Sequence, residues 1–182
     1  IELAKRGHSV IATTMYEKQA QEINTLANDR RIDLKSFKLD INLENDRNKL
    51  KELDFDVLIN NAAIGDSGSI ADISVDRIEN VFETNVFSNI KITQVALKNM
   101  IENKRGRVIF LSSLAGRISI PFLGPYCASK FAIEGFASSL RKEMKKLDDV
   151  NIQICIIEPG AYATGFNKEN NEKKYEWMYK DS

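Results

Sequence analysis

What this sequence has little of narrows the field first. A single histidine, His8, and two cysteines, Cys127 and Cys155, form no CxxC pair and no ligand cluster. That argues against a zinc site or any other metal role, and against a disulfide framework. Both cysteines sit in apolar segments and read as small core residues in a reducing, cytoplasmic compartment. Charge of one sign is also missing, since 26 Lys and Arg balance 26 Asp and Glu. With no basic excess, nucleic acid and anionic membrane surfaces are poor partners. No apolar run approaches the roughly 18–20 residues of a membrane span, and Ile154-Cys155-Ile156-Ile157 is typical of the longest. Three prolines and no repeat or low-complexity tract break up the 182 residues, a length that suits one domain. What remains is 43% hydrophobic with nine Phe, enough for a packed core.

Apolar runs alternate with helical patterns along the whole chain. The spacing predicts a helix end over 1–6 stopped by Gly7, a strand over 9–14, a helix over 16–28 and a strand over 35–39. A short polar helix over 45–53, a strand over 57–59 and one long helix over 75–103 follow. Next come a strand over 107–112, a helix over 126–147 and a strand over 152–157. Continuously apolar strands separated by helices predict an α/β fold, a doubly wound parallel sheet covered on both faces. Such sheets bind ligands beyond the strands' carboxyl ends. The candidate residues gather there: Asp40 after one strand, Asn60 and Asn61 after the next, Ser112 and Ser113, then Pro159 and Gly160.

The sharper pattern is Tyr126-Cys127-Ala128-Ser129-Lys130. On a helix, Tyr126 and Lys130 are i and i+4 and share a face. A phenol titrating near about 10 is a poor catalyst at neutral pH, and a neighbouring ammonium would pull it down. A hydroxyl from Ser113 reaching the same point would hydrogen-bond a substrate oxygen. This constellation suits proton transfer at a carbonyl or alcohol oxygen, coupled to hydride transfer by a cofactor.

Taken together, the residues resemble the short-chain dehydrogenase/reductase family. The resemblance rests on Asn60-Asn61-Ala62-Ala63, Thr84-Asn85-Val86, Ser112-Ser113-Leu114-Ala115-Gly116, the Tyr126–Lys130 run and Pro159-Gly160-Ala161-Tyr162-Ala163-Thr164. It covers the chain from Ile1 to about Phe166, so 1–166 is expected to be the catalytic domain and 167–182 a substrate lid or tail. The resemblance implies a Rossmann-like fold and a tetrad of Asn85, Ser113, Tyr126 and Lys130. Tyr126 would be the general acid/base, Ser113 would polarise the substrate oxygen, and Asn85 would support a relay water. Lys130 would lower the Tyr126 pKa and bind the nicotinamide ribose. Asp40 and Ile41 would lie against the adenine, Asn61 and Ala62 near the adenosine ribose, and Pro159, Gly160 and Thr164 beside the nicotinamide.

Two departures bear on these expectations. Ala63 stands where the family usually has Gly, tolerable if the backbone is not left-handed there. Thr14 and Met15 end the first strand where NAD-specific relatives carry an acid, which favours NADP over NAD, with Lys18 available to a 2′-phosphate. Phe122-Leu123-Gly124-Pro125 and Phe131-Ala132-Ile133-Glu134-Gly135-Phe136 resemble steroid- and retinol-type members, implying a hydrophobic substrate. The resemblance also implies pairing into a homodimer or homotetramer. Tyr175, Met178 and Tyr179 share helical spacing, as a lid helix would. Against the family pattern, the first strand and its Gly-rich turn are absent, about 15–20 residues, as are the closing helix and strand. The sequence is therefore expected to be an internal portion of a longer enzyme, inactive by itself. The rival expectations are a catalytically silent scaffold of the same fold and an isomerase or dehydratase using the same tyrosine.

Overall fold

β-branched runs become strands and amphipathic runs become helices throughout residues 1–162, the residues described by this computed structural model. The chain divides into two compact units, Ile1–Glu52 and Leu53–Ser182. In the first, α1 (Glu2–Lys5) ends before Gly7, whose φ of +86° is the left-handed cap expected of it. β1 (Val10–Thr14) pairs in parallel with β2 (Leu34–Lys38), Val10 opposite Leu34 and Thr14 opposite Lys38. α2 (Glu17–Asp29) connects them and buries Ala20 and Ala27. Asn24 on this helix fixes β2: its Nδ2 donates to the Ser36 carbonyl, and its Oδ1 accepts the Ser36 N–H, both at 2.8 Å. α3 (Glu44–Asn48) follows and tightens into a 3₁₀ turn over Lys49–Glu52.

The second unit carries a parallel sheet of β3 (Val57–Asn60), β4 (Arg105–Leu111) and β5 (Asn151–Ile157), in the order β3-β4-β5. Its core lies on one sheet face. Val108 and Phe110 of β4 and Ile152 and Ile154 of β5 pack against α5 (Asn89–Glu102) and α6 (Gly124–Met144). Leu97 and Met100 come from α5, and Ile133 and Ala137 from α6. Strand alternation sends Ile59 and Ile157 to the other face, where they are 44% and 48% exposed. All strand pairs among the described residues are parallel, as the continuously apolar strands imply.

One expectation is corrected. The helical pattern over 75–103 is not a single α-helix. It is α4 (Val75–Phe82), a π-helical turn over Glu83–Ser88, and then α5. The inserted turn leaves the apolar spacing almost unchanged, so periodicity does not reveal it. The physical marker is Asn89, whose Nδ2 lies 2.9 Å from the Thr84 carbonyl and 3.1 Å from that of Asn85. It satisfies backbone acceptors where the ordinary helical ladder is interrupted.

Candidate active site

β4 ends at Leu111 and delivers Ser112 and Ser113 beyond the sheet. Ser113 opens a 3₁₀ turn (Leu114–Gly116), its Oγ accepting the Ala115 N–H at 3.1 Å. Two backbone bonds stitch this segment to the end of β5: Ser112 N–H to the Ile157 carbonyl at 2.8 Å, and Leu114 N–H to the Pro159 carbonyl at 3.1 Å. The Ser113 turn and Pro159-Gly160 are therefore neighbours. α6 starts at Gly124 with Pro125 in its first turn, where a missing N–H costs nothing. It presents Tyr126 and Lys130 on one face, with Lys130 Nζ 5.6 Å from the centre of the tyrosine ring.

Ser113 lies close enough to the Tyr126 phenol for its hydroxyl to act on the phenol's ionisation. Burial nonetheless holds the phenol above its ordinary pKa, and the Ser113 hydrogen bond pulls the other way. Helical spacing alone would give that downward pull to Lys130. In the structure Ser113 supplies it. Lys130 stands over the ring and donates to the Leu111 carbonyl at 2.7 Å. Burial pushes its own pKa down to about 8.

Asn85 lies in the π-helical turn. Its Oδ1 accepts the Ile64 N–H at 2.8 Å; its Nδ2 donates to the Ile64 carbonyl at 2.8 Å and to Ser129 Oγ at 3.0 Å. Ser129 in turn donates to the Tyr126 carbonyl at 2.7 Å. The side chain of Asn85 thus links the loop after β3 to the first turns of α6. Asn60, which the sequence places at the ligand-facing strand end, and Asn89, which it does not single out, complete this network. Asn89 Nδ2 also lies 3.0 Å from the Ala62 carbonyl, and Asn60 Nδ2 donates to Thr93 Oγ1 at 2.8 Å. The available signal was four-residue spacing, since Asn85, Asn89 and Thr93 recur every four residues along one helical run. Asn61 and Ala62 are exposed past the end of β3. Ala63 is not among the residues with positive φ, which accounts for a methyl in place of hydrogen there.

In the first unit, Asp40 and Ile41 form a turn built largely by Asp46. Asp46 Oδ2 accepts the Asp40 N–H at 2.8 Å, and Asp40 Oδ1 accepts the Asn42 N–H at 2.9 Å. The Ile41 carbonyl accepts from Arg47 Nη1 at 2.7 Å. Thr14 Oγ1 donates to the Tyr16 carbonyl at 3.0 Å, and Met15 and Lys18 are exposed. Thr164 and the 167–182 tail, with Tyr175, Met178 and Tyr179, lie outside the described residues.

The residues fit a dinucleotide on one observation. Lys130 is a buried ammonium with three donors, one of them spent on Leu111, and among the described residues no carboxylate pairs with it. A vicinal diol such as a ribose offers the acceptors such a group needs. Around the Ser113 turn, Leu114, Ile118, Ile120 and Phe122 are exposed apolar side chains. Phe122 holds a left-handed φ of +64°, and its carbonyl accepts the Gly68 N–H at 2.8 Å.

The family model described as short chain dehydrogenase matches residues 1–175. A probable short-chain type dehydrogenase/reductase VdlC of Helicobacter pylori is 39% identical over 127 residues, covering 68% of this chain and 46% of that protein. Dehydrogenase/reductase SDR family member 7B of Rattus norvegicus is 43% identical over 112 residues, 62% of this chain and 34% of that protein. The chain thus spans less than half the length of these relatives. A short-chain dehydrogenase structure from Streptomyces avermitilis superposes with a TM-score of 0.77 at 26% identity, covering 87% of this chain and 58% of that one. An actinorhodin polyketide ketoreductase with NADPH gives 0.87 at 23% identity, covering 99% of this chain and 70% of that one, a likeness of fold.

Proposed function

The chain belongs to the short chain dehydrogenase family, and we propose that it serves an NAD(P)-dependent oxidoreductase acting on a carbonyl or secondary alcohol. The observation that carries this reading is the placement of Ser113 beside the Tyr126 phenol, with the buried ammonium of Lys130 over the tyrosine ring. A bound nicotinamide dinucleotide supplies or accepts the hydride. The protein's own residues manage the proton. Tyr126 Oη gives a proton to the developing alkoxide in reduction and takes one from the alcohol in oxidation. Ser113 Oγ donates to the substrate oxygen, or to the phenolate once it forms, and stabilises charge at that point. Lys130 holds ribose hydroxyls with the donors that its hydrogen bond to the Leu111 carbonyl leaves over. Asn85 supports the site by holding the loop after β3 against α6.

Several finer assignments belong to the same reading. Asp40 and Ile41 contact the adenine, Asn61 and Ala62 the adenosine ribose, and Pro159, Gly160 and Thr164 the nicotinamide. With no acid at Thr14 or Met15, NADP is preferred to NAD. Exposed Leu114, Ile118, Ile120 and Phe122 favour a hydrophobic substrate. Residues 1–166 act as one catalytic domain, as a homodimer or homotetramer, in the reducing cytoplasm suggested by the unpaired cysteines Cys127 and Cys155.

The test uses full-length protein. NADH and NADPH are titrated separately, a carbonyl panel follows, and Tyr126→Phe is compared with wild type. Turnover in the variant is expected to fall by about 10²–10⁴, with dinucleotide affinity nearly unchanged. Undiminished turnover overturns the mechanism, and failure of both dinucleotides to bind replaces the enzyme with a silent scaffold.

A further inference from the structure

Glu134 is a buried carboxylate that the chemistry above leaves unused. It lies on α6 one helical turn beyond Lys130, only 8% exposed, and its Oε1 has no hydrogen-bond partner. Burying a carboxylate is costly unless it is paired, so the one ion pair it makes among the described residues is informative. Glu134 Oε2 lies 3.3 Å from Arg117 Nη2, and the same nitrogen reaches Glu158 Oε1 at 2.7 Å. Arg117 closes the 3₁₀ turn that Ser113 opens. Glu158 is the residue between β5 and Pro159. One guanidinium therefore joins three segments: the Ser113 turn, the helix of Tyr126 and Lys130, and the strand end leading into Pro159-Gly160.

The turn has little room to move independently of these neighbours. At Gly116, next to Arg117, a Cβ would come 2.7 Å from Ser112 Oγ and 3.3 Å from both the Lys130 carbonyl and Glu134 Cγ. A shift at the Arg117 end of so short and closely packed a turn reaches Ser113, four residues earlier. Planar guanidinium geometry suits bridging two carboxylates, where an ammonium acts only as a point charge. The Glu158 arm is half in solvent and worth little alone. The Glu134 arm is different, because releasing it strands a buried charge.

We propose that Arg117, gripping Glu134 and Glu158, is a positioning residue that sets the Ser113 hydroxyl against the Tyr126 phenol. This rests on the reading of Ser113 and Tyr126 as the reacting pair. Displacing a hydroxyl by a fraction of an ångström at a reacting centre is enough to slow chemistry while leaving distant binding contacts alone.

The experiment uses full-length protein with Arg117→Met, Arg117→Lys and Glu158→Gln, and Tyr126→Phe in parallel. Alcohol oxidation is followed across about pH 6–10, with dinucleotide affinity and thermal midpoint measured for each variant. Arg117→Met is expected to lower kcat about tenfold while dinucleotide affinity stays within about twofold. The rise of rate with pH moves to higher pH, because the phenol loses the hydrogen bond that favours its ionised form. Arg117→Lys restores part of kcat. Glu158→Gln, at a more exposed site, shows the same pattern more weakly with an unchanged midpoint, and it decides the matter should Arg117→Met not fold. Unchanged kcat and pH profile in both Arg117→Met and Glu158→Gln overturns the proposal. So does a parallel loss of kcat, affinity and midpoint that lysine does not rescue. If Tyr126→Phe retains turnover, the reacting-pair reading itself has failed. If Tyr126→Phe is dead and Arg117→Met is normal, only the clasp has.

Discussion

Asn85 holds Ile64 by both of its backbone groups, accepting its N–H and donating to its carbonyl, each at 2.8 Å. Through Ser129 the same amide reaches the Tyr126 carbonyl, so the β3 loop and the start of α6 share one buried polar connection. Buried networks of this kind are worth most when every member is satisfied. Asn85→Ala leaves the Ile64 peptide groups unpaired, and the expected loss is about 1–3 kcal/mol in denaturant unfolding. Turnover of the full-length enzyme is expected to fall through kcat more than KM, because the disturbed element carries Tyr126. A variant with wild-type stability and wild-type kcat would show that the connection positions nothing.

A second carboxylate matters to stability in the first unit. Asp46 accepts the Asp40 N–H and pairs with Lys38 at 2.8 Å and Lys49 at 2.7 Å. The Lys38 hydrogen bond, then Lys49 and the Asp40 N–H, hold its carboxyl well below the usual carboxylate range. A folded-state pKa below the unfolded one means stability present above the unfolded value of about 3.9 and lost as pH falls below it. Asp46→Asn should therefore cost about 1–3 kcal/mol at neutral pH. The gap to wild type should close in urea melts as pH drops below about 4. A gap that persists unchanged at acid pH would show that the carboxylate's charge is not what matters.

The strands and most helices were legible because their signals are local. Val10–Thr14 and Asn151–Ile157 are β-branched and apolar, and Gly7 carries the positive φ a helix stop needs. Tyr126 and Lys130 were legible as a pair because helical spacing alone puts them on one face. The π-helical turn at Glu83–Ser88 was not, since one added residue barely alters an apolar repeat, and the hydrogen bond that accompanies it, from Asn89 to Ala62, is long-range. Asp46 and Arg117 escaped notice for a similar reason. Each is an ordinary charged residue in sequence, and only folding brings Asp40, or Glu134 and Glu158, to it. The Tyr126 shift runs opposite to the one its spacing from Lys130 implies, because burial, which spacing does not report, outweighs the neighbouring groups.

Gly116 offers a packing test close to the site. An added methyl meets Ser112 Oγ at 2.7 Å, which a serine rotation relieves, but also the Lys130 carbonyl and Glu134 Cγ at 3.3 Å, which belong to α6. Gly116→Ala is expected to destabilise by about 1–3 kcal/mol and to lower kcat by displacing the Ser113 turn from the helix. Thermal unfolding and steady-state kinetics on the full-length protein check both. Retention of wild-type kcat would mean that the turn accommodates the methyl without moving Ser113.

Lys130 carries the opposite linkage to Asp46. Burial lowers its folded-state pKa from the ordinary 10.5 to about 8. The unfolded chain therefore binds the proton more tightly than the folded one, and stability rises with pH between those two values. Below about pH 8 the penalty for burying the ammonium is present in full, on the order of 3 kcal/mol at about 1.36 kcal/mol per pKa unit. Lys130→Met removes the charge while keeping an unbranched side chain, and it gives up one hydrogen bond to Leu111, worth about 1 kcal/mol. Without dinucleotide at pH 7, the full-length variant is expected to melt a few degrees above wild type. That advantage should shrink as pH approaches 10.5. Saturating dinucleotide should reverse the order, because only the wild type gains hydrogen bonds from the ammonium to a ligand. A methionine variant less stable than wild type at pH 7 without ligand would show that the Leu111 hydrogen bond outweighs the burial cost. Destabilisation by a group kept for binding would then have to be sought elsewhere in the site.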